Sequence, residues 1–81
     1  MASKIENINV GLDMLIEDSS VPRNIRKGSE DIKALLTNAD EPMDVRKSRA
    51  ISLLDDMAND PNIPMHGRTL VWNVMSQMET L

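Results

Sequence analysis

The segments DSSVPRNIR (residues 18–26) and DPNIPMHGR (residues 60–68) decide the fold, because each lies between two helical patterns. Both follow the pattern D-x-x-[VI]-P-x-x-x-R, and they are 42 residues apart, from residue 18 to residue 60. Proline is best tolerated in the first turn of a helix, so each copy predicts a helix that starts at its proline, Pro22 or Pro64. The pattern therefore predicts two related helix–turn–helix hairpins, one over about 4–37 and one over about 42–79.

Outside these segments, apolar residues recur at spacings of three and four, which predicts four amphipathic helices. Ser3 precedes the first helix and Glu6 follows three residues later, the spacing of a capping box. Asp40 is predicted to cap the third helix, with Pro42 in its first turn. Trp72 falls at a core spacing in the fourth helix, and we expect it to be buried with its apolar neighbours Val71, Val74, Met75 and Met78.

Two hairpins are too few for an open stack of repeats, so we expect them to fold onto each other. The predicted fold is an all-α four-helix bundle that forms a single domain over residues 1–81. The turn pattern also resembles the turns of HEAT-type helical repeats, which carry an Asp in the turn and an Arg early in the second helix. That resemblance implies a HEAT-like pseudo-repeat and favours contact with other proteins.

The composition excludes several classes of protein. The chain has no cysteine, so it has neither a disulfide framework nor a thiolate zinc site. Its net charge of −4 provides no general attraction to nucleic acid or to anionic membranes. No apolar run approaches a membrane span and no apolar leader is evident, so we expect a cytoplasmic protein that does not bind membranes.

The two arginines that end the shared pattern, Arg26 and Arg68, are the first candidate site residues. Each lies one helical turn after its proline, so it could bind a carboxylate such as Asp18 or Asp60, or the carbonyl groups at the end of the preceding helix. The alternative is recognition of a phosphate or carboxylate ligand at the neighbouring helix N-terminus. Because the arginine occurs in both copies, we favour the structural role for both residues.

Residues that could carry catalysis or bind a metal are few. His66 is the only histidine, and no Cys or second His accompanies it. Acidic pairs such as Asp55 and Asp56 are adjacent, so on a helix they diverge by about 100° instead of converging on one ion. We therefore expect no enzymatic activity, no metal and no cofactor. We expect His66 to be an exposed or turn-bonding histidine.

Binding surfaces are the remaining functional hypotheses. Three methionines outside the main stripes, Met14, Met43 and Met65, could form an adaptable apolar surface for a protein partner. The leading hypothesis is thus a non-enzymatic protein–protein interaction module. A homodimer that covers leftover apolar surface is a further expectation. The alternative function is weak, electrostatic nucleic-acid binding through a basic face of helices 2 and 3, formed by Arg23, Lys27, Arg46, Lys47 and Arg49.

The segments DSSVPRNIR, NDPNIP (residues 59–64) and RTLVW (residues 68–72) together resemble an uncharacterised, mainly archaeal family of short helical proteins. The resemblance extends over nearly the whole chain. It implies an all-α bundle in an archaeal cytoplasm, and it implies no catalytic residue or cofactor.

Overall fold

The computed structural model describes residues 3–81, which form four α-helices and no β-strand. The helices are α1 (Lys4–Glu17), α2 (Arg23–Thr37), α3 (Met43–Ala58) and α4 (Met65–Glu79). Each helix packs against its neighbours in sequence, and α4 also packs against α1, so that the four helices form a closed ring. The predicted all-α class with four helices is confirmed.

The first residue of each helix follows from its cap. Ser3 caps α1, because its Oγ accepts a hydrogen bond from the backbone N–H of Glu6 at 3.1 Å. The other three helices each have a proline at the N-cap position, with φ between −67° and −57°. The predicted cap of α3 by Asp40 is wrong: Asp40 lies in the preceding connection and donates its N–H to the side chain of Asn38 at 3.1 Å.

The four apolar stripes meet in one continuous core inside the ring. The most deeply buried large side chains come from all four helices: Ile8, Leu12, Leu15, Ile25, Ile32, Leu54, Val71, Val74 and Met78. Trp72 was predicted to join them and does not, because its side chain is 52% exposed. The inward positions of α4 are taken by Val71 and Val74, and Trp72 lies about 100° around the helix from Val71.

A glycine lets α1 approach α4 closely. A Cβ atom built on Gly11 would lie 2.6 Å from Cγ2 of Val74, which is far inside van der Waals contact. Val74 is 1% exposed and β-branched, so its side chain has little freedom to move away. The packing of these two helices therefore depends on the missing side chain at position 11.

Helix packing does not distinguish two separate hairpins from a ring of four helices, since α2 also packs on α3 and α1 on α4. The two-hairpin construction and the HEAT-like pseudo-repeat stay predictions. Among residues 3–81, no helix is both long and apolar enough to cross a membrane.

Candidate functional site

The connection that the sequence shows twice occurs three times in the structure. Asp18, Asn38 and Asp60 each accept a hydrogen bond through Oδ1 from the backbone N–H two residues later, at 2.9, 3.1 and 2.8 Å. In each case a proline follows after four residues and an arginine after eight. Sequence reasoning missed the copy at residues 38–46, which has Asn in place of Asp and Glu in place of the apolar residue. A search that allowed Asn at the first position and any residue before the proline would have found it.

Two of the three arginines cap the preceding helix. Arg68 donates from Nε to the carbonyl oxygen of Ala58 at 3.0 Å, and from Nη2 to that of Asp60 at 3.5 Å. Arg46 donates from Nη1 to the carbonyl oxygen of Leu36 at 2.9 Å. Each acceptor near the helix end lies ten residues before its arginine, and such carbonyls lack a partner within the helix. For Arg68 and Arg46 this geometry favours the structural role.

Arg26 differs from the other two. The carbonyl at its equivalent position belongs to Ile16, yet no hydrogen bond joins the two residues within residues 3–81. Nε is buried without a partner there in both Arg26 and Arg46, but Arg46 bonds through Nη1 instead. Its side chain lines a groove between α1 and α2 together with Arg23 and Lys27. The expectation that both predicted arginines bind a carboxylate or a helix-end carbonyl thus applies to Arg68 and not to Arg26.

The predicted turn aspartates bind residues from the opposite half of the chain. Asp18 Oδ2 lies 2.7 Å from Nε2 of His66, in the first turn of α4. Asp60 Oδ2 accepts a hydrogen bond from Nδ2 of Asn24, in the first turn of α2, also at 2.7 Å. Asp18 and Asp60 are 42 residues apart, and so are Asn24 and His66. Each aspartate thus contacts the corresponding first-turn residue of the other half of the chain. This reciprocity favours the predicted pairing of two related halves.

These contacts change the acidity of both aspartates. Hydrogen bonds from the side chain and the backbone N–H of Ser20, followed by the one from His66, lower the pKa of Asp18 to about 2. The hydrogen bond from Asn24, followed by the backbone N–H of Asn62, lowers the pKa of Asp60. In both cases the donors stabilise the carboxylate anion. The two carboxylates are therefore charged at neutral pH and act as hydrogen-bond acceptors.

The cluster of Asp18, Ser20 and His66 contains the residue types of a hydrolytic triad but not its arrangement. Nε2 of His66 lies 3.2 Å from Ser20 Oγ and 2.7 Å from Asp18 Oδ2, so one nitrogen serves both contacts. A triad needs the two ring nitrogens to divide these roles. Ser20 Oγ also bonds to Asp18 Oδ1 at 2.6 Å. The cluster thus ties the end of α1 to the start of α4. Residues 3–81 contain no group of three or more His, Asp or Glu side chains that could hold a metal ion.

The three methionines predicted as one partner surface do not come together. Met14 is 52% exposed on α1, and Met65 is 68% exposed at the start of α4. Met43 is the first residue of α3, at the opposite end of the bundle from Met65, because consecutive helices joined by short connections run in opposite directions. A single face formed by Met14, Met43 and Met65 is therefore absent from the bundle.

The predicted basic face is divided in the same way. Arg23 and Lys27 lie in the first two turns of α2, whereas Arg46, Lys47 and Arg49 lie in the first two turns of α3, which pack beside the C-terminal half of α2. Most of these cations also have partners. Lys27 pairs with Asp31 and Arg49 with Glu41, both at 3.2 Å. Lys47 donates to the carbonyl oxygens of Glu79 and Leu81 at 3.0 and 3.2 Å.

An apolar groove lies between α2 and α3. It has a volume of about 530 Å³, and its apolar lining comes from Ala34 and Leu35 on one side and Leu53 on the other. A smaller groove of about 300 Å³ continues it toward the start of α2 and shares the lining residues Asp31, Leu53 and Asp56. Sequence reasoning missed this groove because each helix alone shows only a half-buried leucine at the edge of its stripe.

Known proteins share both the sequence and the fold. The family model described as "Uncharacterised protein family (UPF0147)" matches residues 1–81. A UPF0147 protein of Methanosarcina acetivorans is 51% identical over 70 residues, which are 86% of this chain and 72% of the relative. A UPF0147 protein of Archaeoglobus fulgidus is 45% identical over an alignment of 82 positions, which covers 100% of this chain and 93% of the relative.

A solved structure extends the match to three dimensions. The crystal structure of a protein from uncharacterized family UPF0147 of Thermoplasma acidophilum superposes with a TM-score of 0.92 at 42% identity, over 96% of this chain and 92% of that one. The resemblance inferred from the three sequence segments is thereby confirmed. This chain belongs to the UPF0147 family of archaeal all-helical proteins.

Proposed function

We propose that the protein is a non-enzymatic protein–protein interaction module whose α2–α3 groove binds a helical segment of a partner protein. The observation that carries this proposal is the apolar groove of about 530 Å³ between two helices. Recognition of an amphipathic helix by such a groove is a common mode of protein binding.

The dimensions of the groove support a helical partner. The two continuous grooves are lined on α2 from Asn24 to Asn38, which is about 21 Å of helix. A partner helix of about four turns would extend along this length. The apolar lining by Ala34, Leu35 and Leu53 would accept its apolar stripe, and the charged rim with Asp31, Arg49 and Asp56 would contact its polar flanks.

The alternative of nucleic-acid binding is less well supported. Lys27, Arg46, Lys47 and Arg49 already bind carboxylates or helix-end carbonyls, and Arg23 and Lys27 lie on a different helix from the other three cations of the predicted face. Phosphate binding would therefore require several of these contacts to break before counterions could be released.

Site-directed photo-crosslinking in a lysate of the source organism tests the interaction module. A photoreactive residue placed at Ser52, which lines the groove, is expected to crosslink reproducibly to a protein, and the crosslinks identify the helix that it contacts. Ala34→Arg should abolish the crosslink because the longer side chain fills the groove at an exposed position.

The matched control is Ser19→Arg, since Ser19 is exposed in the connection between α1 and α2 and lines none of the grooves described above. It should leave the crosslink unchanged. Recovery of the same protein with the Ala34→Arg variant, at the yield of the unmodified chain, would contradict the proposed use of the groove.

A further inference from the structure

A second surface, on the opposite side of α3 from the groove, carries the single aromatic residue of the chain. Trp72 is 52% exposed, and Met65 is 68% exposed seven residues earlier. A separation of seven residues is about two helical turns, so both side chains lie on the same face of α4. Exposed Trp is strongly enriched among the residues that dominate binding energy in protein interfaces.

Two backbone contacts define which edge of α4 this face occupies. Arg68 bonds to the end of α3 through Ala58 O, and Lys47 of α3 bonds to the end of α4 through Glu79 O. The edge of α4 that borders α3 therefore contains Arg68 and Glu79. Trp72 lies one turn after Arg68 and two turns before Glu79, so it lies along the same edge.

The facing edge of α3 follows from the same contacts. Lys47 and Ala58 mark this edge, and Ile51 and Asp55 lie between them at successive turns. Asp44 lies on the same edge and lines a small groove with Lys47 and Ile51. We call the resulting area the α3–α4 surface and define it by Asp44, Ile51, Asp55, Met65, Trp72 and Glu79.

Carboxylates outnumber cations on the α3–α4 surface. Asp44, Asp55 and Glu79 are exposed, and none of them takes part in an ion pair within residues 3–81. The two cations along the α3–α4 boundary, Lys47 and Arg68, keep their charge but are held at the helix ends by backbone carbonyls, so three carboxylates face two cations. An apolar strip flanked by three carboxylates that make no ion pair in the described part of the chain favours cationic protein segments over nucleic acid and anionic membranes.

We propose that the α3–α4 surface binds a Lys/Arg-rich amphipathic helix of a partner protein, independently of the α2–α3 groove. The apolar side of that helix packs on Trp72 and Met65. Its cationic flanks pair with Asp44, Asp55 and Glu79. From Met65 to Glu79 the surface extends about 21 Å, which matches about four turns of a partner helix.

The lone tryptophan makes a direct test available, because the fluorescence of the protein reports on this surface alone. The probe is a synthetic amphipathic peptide of about 16 Leu and Lys residues, compared with a peptide in which Glu replaces every Lys. The Leu/Lys peptide should shift Trp72 emission to the blue and protect it from acrylamide quenching, with saturation. Its Kd should rise at least about tenfold between about 50 and 300 mM NaCl. The Leu/Glu peptide should change neither signal.

Charge-matched variants distinguish peptide binding at this surface from a general attraction of the cationic peptide to an acidic protein. The double variant Asp44→Lys/Asp55→Lys should raise the Kd of the Leu/Lys peptide at least about tenfold. Glu17→Lys/Glu30→Lys makes the same change in net charge at two exposed residues on α1 and α2, and it should change the Kd less than about threefold. Ala34→Arg, which fills the α2–α3 groove, should leave the Trp72 signal unchanged. A failure of partner binding in the groove can therefore be told apart from a failure of binding at the α3–α4 surface.

Three results would overturn the proposal. The first is an unchanged Trp72 spectrum at saturating Leu/Lys peptide. The second is an equal loss of affinity in the two charge-matched variants. The third is a free protein that is dimeric by light scattering and becomes monomeric in Trp72→Asp, because the surface would then be occupied by a second copy of the chain.

Discussion

His66 Nε2 lies 2.7 Å from the carboxylate of Asp18, and this contact joins the first turn of α4 to the end of α1 across 48 residues of sequence. Its counterpart, Asn24 on Asp60, joins α2 to the end of α3 at the same distance. All four helices thus meet in polar contacts at one end of the bundle, and the stability of that end depends on two ionised aspartates.

Stability should depend on pH through Asp18. Its pKa is lowered in the folded protein to about 2 from an ordinary value of 3.8. The stabilisation is therefore complete above pH 4 or so and is lost as the pH falls from about 4 toward 2. Urea unfolding across this range should show a shallower pH dependence for Asp18→Asn than for the parent.

The order of the hydrogen-bond contributions provides a control for this prediction. Ser20→Ala should flatten the pH dependence more than His66→Ala, because the hydrogen bond from the Ser20 side chain is the larger cause of the lowered pKa. An Asp18→Asn variant with the pH dependence of the parent would show that the acid-sensitive carboxylates lie elsewhere, with Asp60 the next to test.

The three connection arginines should differ in their contribution to stability. Arg68→Ala and Arg46→Ala each remove a charged donor from a helix-end carbonyl, and each should lower the free energy of unfolding by about 1–3 kcal/mol. Arg26→Ala should cost less than about 1 kcal/mol, because Arg26 makes no such bond. Chemical denaturation of the three variants checks the order. Equal losses at all three positions would mean that Arg26 also caps a helix in solution.

Two glycines should respond in opposite ways to alanine. Alanine has the higher helix propensity by about 0.8–1 kcal/mol, which favours both changes. At Gly11 the new Cβ meets the stiff, buried Val74 at 2.6 Å, so Gly11→Ala should destabilise the protein by about 1–2 kcal/mol. At Gly28 the nearest atom is Sδ of Met57 at 3.0 Å, in a flexible side chain, so Gly28→Ala should be neutral or stabilising.

A second-site change tests the cause of the Gly11 effect. Val74→Ala removes the atom in conflict, so the double variant Gly11→Ala/Val74→Ala should be more stable than the sum of the single effects predicts. Additive thermal or urea denaturation data in this cycle would rule out the proposed clash.

Trp72 should contribute little to folding. Its side chain is 52% exposed, so Trp72→Ala should lower the free energy of unfolding by about 1 kcal/mol or less, whereas Leu54→Ala at a fully buried site should cost about 2–5 kcal/mol. The emission maximum of Trp72 should also move little on unfolding. A large red shift in urea would mean that Trp72 is buried in solution, for example between two copies of the chain.

Local signals predicted the helices well, while contacts between distant residues escaped prediction. Ser3 and the prolines at 22 and 64 marked helix starts because caps and proline act on their own neighbours. Periodicity placed Val71 and Trp72 in the same apolar group, but neighbouring residues on a helix are about 100° apart and only the packing of α1 and α3 decides which is buried. The contact of His66 with Asp18 carries no local signal at all.

The three connections between helices, residues 18–26, 38–46 and 60–68, are built on the same plan. Each nine-residue segment contains its own turn-forming Asx residue and a helix-starting proline, and two of the three also contain an arginine that holds the preceding helix. Such a corner is a transferable part for protein engineering. Exchanging residues 38–46 for residues 60–68 should preserve the path of the chain. In designed bundles, a connection of this nine-residue pattern would reverse the direction of the chain without a glycine in the left-handed conformation. No residue from 3 to 81 adopts a positive φ.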